Sequence, residues 1–167
     1  MLFLIAIAVP AGLTEPEDNS PKGNSTTVQK RSINLDTALA IAKVALKSGK
    51  KFGHPLAITI ADNAGLPLVM LRDDNATEQN FDGARRLAWT VVTMKSSTKE
   101  LVARVKAGFS DDGILPFIEK SQILLGGVPL KSRGEIVGGV GVSGCPDGRD
   151  DDAIAEAAAA EFAKLDN

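Results

Sequence analysis

Two pairs of short β-prone runs, each joined by a brief turn, constrain the fold more than any other feature of the sequence. The first pair covers residues 56–61 and 66–71, around four residues that include Asn and Gly. The second pair covers residues 122–131 and 135–143, around a three-residue turn. Short turns of this composition between β-prone runs are typical of hairpins. Because strands that arrive as hairpins pair antiparallel, with helices between the pairs, the predicted fold class is α+β.

Helical periodicity fills most of the remaining chain. Apolar residues recur three or four positions apart in four segments, which predicts amphipathic helices over residues 34–49, 78–94, 97–107 and 150–165. The apolar positions of the first two include Leu35, Leu39 and Phe81. Asn34 or Asp36 is expected to cap the first helix. Residues 108–121, which carry Asp-Asp-Gly and a Pro, are predicted to form a loop.

Composition limits the functions open to this chain. Its 167 residues predict one domain, since a single core rarely divides below about 250 residues. A net charge of −2 and 4% aromatic residues give no reason to expect nucleic acid as a partner. One Cys, Cys145, and one His exclude an intrachain disulfide and a Cys/His zinc cluster. Cys145 is expected to be a structural thiol.

The first 32 residues are expected to lie outside the folded domain. Residues 1–12 carry an apolar run of the length of a secretory signal core, too short to span a bilayer, although no basic region precedes it. A buried N-terminal strand is the alternative. Residues 13–32 are polar and aperiodic, which predicts a flexible leader, and the domain is assigned to residues 33–167. Asn24 and Asn75 begin Asn-x-Thr triplets that could carry glycans in an exported protein.

Glycines cluster in the second hairpin. Gly139 and Gly141 belong to a G-x-G-x-x-G spacing, but they fall within a predicted strand and only one helix follows, so a dinucleotide-binding unit is excluded. A glycine-lined strand indicates close approach of either a ligand or another part of the chain. Gly126 and Gly127 form a second such site, serving either turn geometry or a ligand-facing loop. Ser143 has no evident base partner.

A few polar residues are candidates for ligand chemistry. His54 is the only imidazole that could bind a metal or haem iron, although a lone loop His is more often solvent-exposed. Arg72 and Arg86 could each bind a carboxylate in bidentate fashion. Asp62 and Asp74 are weak candidates for acid/base catalysis. The alternative is that these charges form a solvated face.

Three stretches of the chain resemble the GlcG/HbpS family over about residues 33–165. The resembling motifs are Asp62-Asn-Ala-Gly65 with Leu68-Val69 and Arg72-x-Asp74, then Gly126-Gly-Val-Pro-Leu130 with Gly134 to Gly144, then Asp151-Asp152-Ala-Ile-Ala155. The chain departs from the family pattern at Asn80, at Trp89 and at Arg86, which stands where Lys is usual.

The resemblance implies a profilin-like fold with a five-stranded antiparallel sheet and assembly into symmetric oligomers. It also implies kinship with secreted haem-binding HbpS-like proteins and with the haem-binding C-terminal domain of PduO-type proteins. Other members occur in glycolate-utilisation operons and have no assigned reaction. The apolar leader of this chain is most similar to the exported branch.

Different functions stay open at this point. The first is a secreted homo-oligomeric binding protein for haem or a similar planar ligand, contacted by Arg72, Arg86, Ser143 and the glycines at 126, 127, 139 and 141, with His54 on the iron. The second is a cofactor-independent isomerase, cyclase or lyase acting on a small organic acid or secondary metabolite. There Asp62 or Asp74 would move the proton and an arginine would hold the charge. The third is a structural or signalling subunit.

Overall fold

The computed structural model describes residues 29–108 and 118–166. In chain order these residues form α1 (Leu35–Gly49), β1 (Ala57–Asp62), β2 (Pro67–Arg72), α2 (Glu78–Thr93), α3 (Thr98–Lys106), β3 (Gly127–Ser132), β4 (Glu135–Ser143) and α4 (Gly148–Leu165). The predicted α+β class and all four predicted helices are confirmed. Of the predicted loop, residues 109–117 lie outside the described residues, as do residues 1–28 of the predicted signal and leader.

The two hairpins form one antiparallel sheet. Its strand order is β2-β1-β4-β3, so β1 and β4 are central, and β2 and β3 are the edges. The described residues therefore contain a four-stranded sheet, and the expectation of five strands is wrong for this part of the chain. Strand β3 also begins at Gly127 rather than at residue 122, because a turn and irregular backbone occupy the preceding residues.

The segment before α1 lies against the sheet without becoming a strand. The Ile33 N–H donates to the Val137 carbonyl, and the Asn63 amide donates to the Arg31 carbonyl. These bonds join two different parts of the sheet and do not continue as a ladder. The segment thus packs against the end of the sheet at which both hairpin turns lie. It does not add a fifth strand.

Helices α1 and α4 cover one face of the sheet. Alternate residues of the two central strands point to this side and are fully buried, as are small side chains of the helices. The core on this face contains Ile58, Ile60, Val140 and Val142 from the strands, Ala38, Ile41, Ala42 and Ala45 from α1, and Ile154, Ala155, Ala158 and Phe162 from α4. Small helical residues let α1 and α4 lie close together over the strands.

Helix α2 covers the opposite face, and glycines in β4 set its distance from the sheet. A Cβ atom at Gly141 would meet the Ala84 carbonyl oxygen and lie 2.6 Å from the Ala88 backbone nitrogen. A Cβ atom at Gly139 would lie 2.6 Å from Val91 Cγ2. Because no side chain separates them, the backbone of α2 rests on the backbone of β4.

Capping interactions define where the helices begin. The Asn34 side chain accepts from the Thr37 N–H at 2.8 Å, so Asn34 rather than Asp36 caps α1. Helix α2 begins with a capping box between Thr77 and Asn80, which gives the Asn that departs from the family pattern a structural role. Helix α3 begins with the predicted capping box of Ser97 and Glu100.

Several apolar positions of the helices face outward. Leu35 is 57% exposed, Leu39 is 38% exposed and Phe81 is 36% exposed, so the expected apolar faces of α1 and α2 are wider than the faces the sheet covers. Within the described ranges, no helix has both the length and the hydropathy needed to cross a membrane.

Candidate functional site

One side of α2 runs along edge strand β2. Phe81, Arg85 and Trp89 are four residues apart, which places them on the same side of the helix. At one end, Trp89 packs over the β1–β2 turn, where a Cβ atom at Gly65 would lie 2.9 Å from Trp89 Cδ1. At the other end, Phe81 and Arg72 line the same cavity. The β1–β2 turn lies just before β2, and Arg72 is the last residue of β2. Because Trp89 contacts the first and Phe81 lies beside the second, this side of α2 extends along the whole length of β2.

Arg72 closes the Phe81 end of this surface. Its Nη1 donates to the Ala76 carbonyl at 2.6 Å and approaches the Asp74 carbonyl at 3.4 Å, which positions the guanidinium at the end of β2. The cavity it shares with Phe81 and Glu78 has a volume of about 320 Å³. That volume is at the lower end of the range for small-molecule pockets.

Met70 belongs to the same surface. It pairs with Thr59, which pairs on its other side with Gly141, so all three lie on the α2 face of the sheet. Met70 is two residues before Arg72 and therefore on the same side of β2. We call the surface formed by Met70, Arg72, Phe81 and Trp89 the aromatic groove. Sequence reasoning missed it, although the four-residue spacing of Phe81, Arg85 and Trp89 was a usable signal.

His54 lies in a different cavity. It is exposed in the loop after α1 and, together with Lys50, Asp73 and Asp74, lines a space of about 310 Å³. Asp73 is engaged there, because its Oδ2 accepts from the Leu56 N–H at 3.0 Å. His54 and Arg72 thus line different cavities, and the loop that carries Asp73 and Asp74 borders the one that contains His54.

The second predicted arginine is held by an ion pair. Arg86 Nε lies 2.5 Å from Asp82 Oδ2, and Arg86 Nη1 donates to the Glu119 carbonyl. Arg85 binds the other oxygen of the same carboxylate at 2.6 Å. The hydrogen bond from Arg85, with that from Arg86, holds the pKa of Asp82 below its ordinary value. Arg86 is therefore engaged by Asp82 and Glu119, whereas Arg72 lines the cavity beside Phe81.

The glycines predicted to contact a ligand lie against other parts of the chain. Gly139 and Gly141 are buried beneath α2. Gly126 has φ +113°, and its carbonyl accepts from the Val142 N–H, while the Gly127 N–H donates to Thr98 Oγ1 at 2.9 Å. These contacts give all four glycines packing or turn roles within the chain.

Ser143 also packs against α2. A Cβ atom at Gly83, in the first half of that helix, would lie 3.0 Å from Ser143 Oγ. Ser143 is half-buried at the end of β4. The hydroxyl thus faces the helix rather than the aromatic groove.

The two aspartates predicted as acid/base candidates differ in their surroundings. Asp62 Oδ1 accepts from the Ala64 and Leu66 N–H groups, both at 2.8 Å, so it organises the β1–β2 turn. Asp74 is exposed in the loop after β2. Because Asp62 and Arg72 lie at opposite ends of the hairpin, the structure does not bring them together.

A buried carboxyl lies at the start of α4. Burial raises the pKa of Asp151, although its oxygens accept from the Cys145 N–H at 3.1 Å and the Gly144 N–H at 3.4 Å. Burial and the nearby Asp151 in turn raise the pKa of the Cys145 thiol to about 12. Cys145 packs against the main core, which agrees with a structural thiol. Cys145 follows β4 and Asp151 is in α4, and strand β1 lies between β4 and the edge strand β2 of the aromatic groove.

The described residues contain no group of three or more His, Cys, Asp or Glu side chains that could hold a metal ion. The aromatic groove contains the flat apolar rings of Phe81 and Trp89, the thioether of Met70 and the guanidinium of Arg72. Fold and site together define a class: a small α+β domain with a four-stranded antiparallel sheet, helices on both faces of that sheet and an open groove at its edge.

The chain belongs to the HbpS-like family. The family model described as haem degrading protein HbpS-like matches residues 33–160. Among solved structures, a double mutant of Streptomyces reticuli HbpS is similar with a TM-score of 0.76 and 30% identity. That match covers 93% of this chain and 98% of the other. The complex of PduOC with haem is similar with a TM-score of 0.71 and 28% identity, over 77% of this chain and 94% of the other.

Curated relatives extend the comparison. An uncharacterised 15.0 kDa protein of Citrobacter freundii is 29% identical over 117 residues, which is 70% of this chain and 82% of that protein. The corrinoid adenosyltransferase PduO of the same organism is 29% identical over 122 residues, which is 72% of this chain. The aligned region spans about a third, 36%, of the length of PduO.

Proposed function

We propose that this protein binds haem or a similar planar, carboxylate-bearing molecule in the aromatic groove. The observation that carries the proposal is the meeting of Phe81 and the Arg72 guanidinium at one cavity on the edge of the sheet. An aromatic face stacks on a flat ring, and a guanidinium binds a carboxylate at its margin. Membership of the HbpS-like family and similarity to the haem complex of PduOC support haem as the ligand.

A haem group needs apolar surface for its ring and a positive charge for its propionates, and the residues of the groove supply both. Phe81 and Trp89 supply apolar surface, and Arg72 supplies a positive charge for a propionate. The sulfur of Met70 is a donor type that binds haem iron in other proteins, and His54 across the adjoining loop is the alternative. When bound, haem would supply iron chemistry, while the chain's own residues bind the ring and anchor its acidic substituent.

The test is a haemin titration of the full chain, followed by absorption spectroscopy. Saturable binding with a sharpened Soret band is expected. Arg72→Gln should weaken the affinity about tenfold, since a hydrogen bond to a charged group contributes about 1.5 kcal/mol. Arg133→Gln, which removes an exposed arginine in the β3–β4 turn, is the matched control.

A second set of variants separates the ring contact from the iron ligand. Phe81→Ala should weaken binding, whereas Leu124→Ala removes an apolar side chain that is 59% exposed elsewhere and should not. His54→Ala and Met70→Leu are compared by their spectra, because only loss of the iron ligand shifts the Soret band. Equal affinity in wild type, Arg72→Gln and Phe81→Ala would remove the groove from consideration.

We further propose that the protein is exported and assembles as a homo-oligomer. Exposed Leu35 and Leu39 lie one turn apart on α1, and an exposed apolar pair of this kind suits an interface between copies. Light scattering of the wild type and of Leu35→Ser/Leu39→Ser tests the assembly. Mass measurement of the protein recovered after expression in an exporting host tests cleavage of the leader, and a single uncleaved cytoplasmic species would contradict export.

A further inference from the structure

A second cavity, larger than the one that Arg72 and Phe81 line, is present in the described residues. It has a volume of about 540 Å³ and lies at the hairpin-turn end of the sheet. Four basic residues and one acidic residue, Glu135, line this cavity. The basic residues are Lys30, Arg31, Lys95 and Lys131.

The four cations come from different parts of the chain. Lys30 and Arg31 precede α1, Lys95 follows α2, and Lys131 is in β3. The fold therefore brings these four residues together, because they do not belong to one basic run of the sequence. Bringing like charges around one space is unfavourable unless solvent or an anion compensates it. A surface selected only for solubility would intersperse both signs.

Among the described residues, these four cations form no ion pair with a carboxylate. Within residues 29–108 and 118–166, none of the ion pairs includes Lys30, Arg31, Lys95 or Lys131. Glu100 lies within electrostatic range of Lys131, but its carboxylate is already bonded by Ser96 and Ser97. The positive charge at the cavity is therefore available to a ligand.

Part of the cavity wall is held in place. The Arg31 guanidinium donates to the hydroxyl of Ser132, which is buried, and the Arg31 carbonyl accepts from Asn63 Nδ2 at 2.9 Å. Lys95 has φ +54° and follows Met94, the C-cap of α2, a position at which helices commonly end in the left-handed conformation. The backbones of Arg31 and Lys95 at the cavity are thus fixed by the fold, and the Arg31 guanidinium is bonded to Ser132.

We propose that this cavity binds a compact polyanion, such as a phosphate ester or a polycarboxylate. Guanidinium and ammonium groups are the side chains that recognise both phosphate and carboxylate oxygens. The volume is within the range of small-molecule pockets and exceeds what a single inorganic ion needs. A nucleic acid is not the occupant we infer, because the charges surround a concave pocket and the chain as a whole carries a net charge of −2.

The test is calorimetric titration of the full chain with pyrophosphate and, separately, with citrate. Saturable one-to-one binding of at least one probe is expected, and the preferred probe distinguishes phosphate from carboxylate recognition. Lys95→Gln/Lys131→Gln should weaken that binding by about tenfold or more, since two charge-assisted contacts are lost. Both lysines are exposed, so the double variant is expected to fold.

The matched control is Lys43→Gln/Lys106→Gln, which removes the same charge from exposed positions on α1 and α3. An equal loss in both double variants would mean that only overall charge matters and would overturn the proposal. So would the absence of saturable binding by either probe. The same cavity variants are also titrated with haemin. Unchanged haemin affinity supports a separate site, whereas loss of haemin binding without loss of anion binding would assign these lysines to the haem site instead.

Discussion

Replacing Gly141 by Ala tests the packing on which the aromatic groove depends. The added Cβ would meet the Ala84 carbonyl oxygen and lie 2.6 Å from the Ala88 nitrogen. Backbone atoms in the middle of a helix cannot rotate aside as a side-chain end can, so α2 has to move away from β4. Overpacking a buried site costs about 1–3 kcal/mol, and we expect a loss near 3 kcal/mol because both opposing atoms are backbone.

Urea unfolding measures this loss as a lower midpoint with an unchanged slope. The corresponding fall in the melting temperature is roughly 6–12 °C for a chain of this size. Gly148→Ala is the control, because a Cβ there would have Leu125 Cβ, at 3.2 Å, as its nearest neighbour, a contact that a shift of a few tenths of an ångström relieves. Its stability should stay within about 1 kcal/mol of wild type.

The same variant also has a functional readout. Helix α2 carries Phe81 and Trp89, so its displacement should weaken haemin binding to the groove even though Gly141 itself is buried beneath the helix. A Gly141→Ala protein within about 0.5 kcal/mol of wild type would refute the reasoning, since surface-like changes have effects of that size. It would mean that α2 does not rest on the backbone of β4.

Other predictions concern a capping box, a thiol and an N-cap. Hydrogen bonds from Ser96 and Ser97 hold the pKa of Glu100 below its ordinary 4.5, so its contribution to stability is present above pH 4.5 and is lost as pH falls through the lowered pKa. Glu100→Ala should cost about 1 kcal/mol at pH 7 in urea unfolding, whereas Glu100→Gln should keep most of the cap and lose its pH dependence. The Cys145 thiol, with its pKa raised to about 12, should not react with Ellman's reagent at pH 8 until the protein unfolds; rapid reaction of the folded protein would contradict its burial. Asn34→Ala should lower the free energy of unfolding by about 1 kcal/mol and Asp36→Ala by less, and the reverse order would make Asp36 the cap.

Local patterns in the sequence were sufficient for most of the fold. The two hairpins and the capping box at Ser97 depend on residues close together in the chain, and each was predicted, although β3 begins at Gly127 rather than at residue 122. The order of the strands in the sheet depends on contacts between β1 and β4, which are about eighty residues apart, and no local pattern encodes that pairing. The fifth strand came from family resemblance, and the described residues contain two hairpins only.

The candidate site was harder to predict, for a physical reason. Glycine in a strand indicates close approach, but the sequence does not say what approaches; at Gly141 it is helix α2. Phe81 has helical apolar spacing, yet the sheet is too narrow to cover that side of α2, so the ring borders an open groove. Likewise, Lys95 and Lys131 become neighbours of one cavity only after the helix and both hairpins are assembled.

The edges of the sheet differ in their capacity to accept another strand. Pro129 lies in the middle of the six-residue strand β3 and has no N–H, and Lys131 on the same edge is exposed. An incoming strand would lack a hydrogen bond there and meet a charge, so β3 is closed to sheet extension. Strand β2 has its proline only at its first position, Pro67, and each residue from Leu68 to Arg72 has an N–H, of which alternate ones point away from β1 to the open edge. Two copies that joined edge to edge would therefore meet through β2, which would set their aromatic grooves side by side and make ligand binding in one copy sensitive to its neighbour.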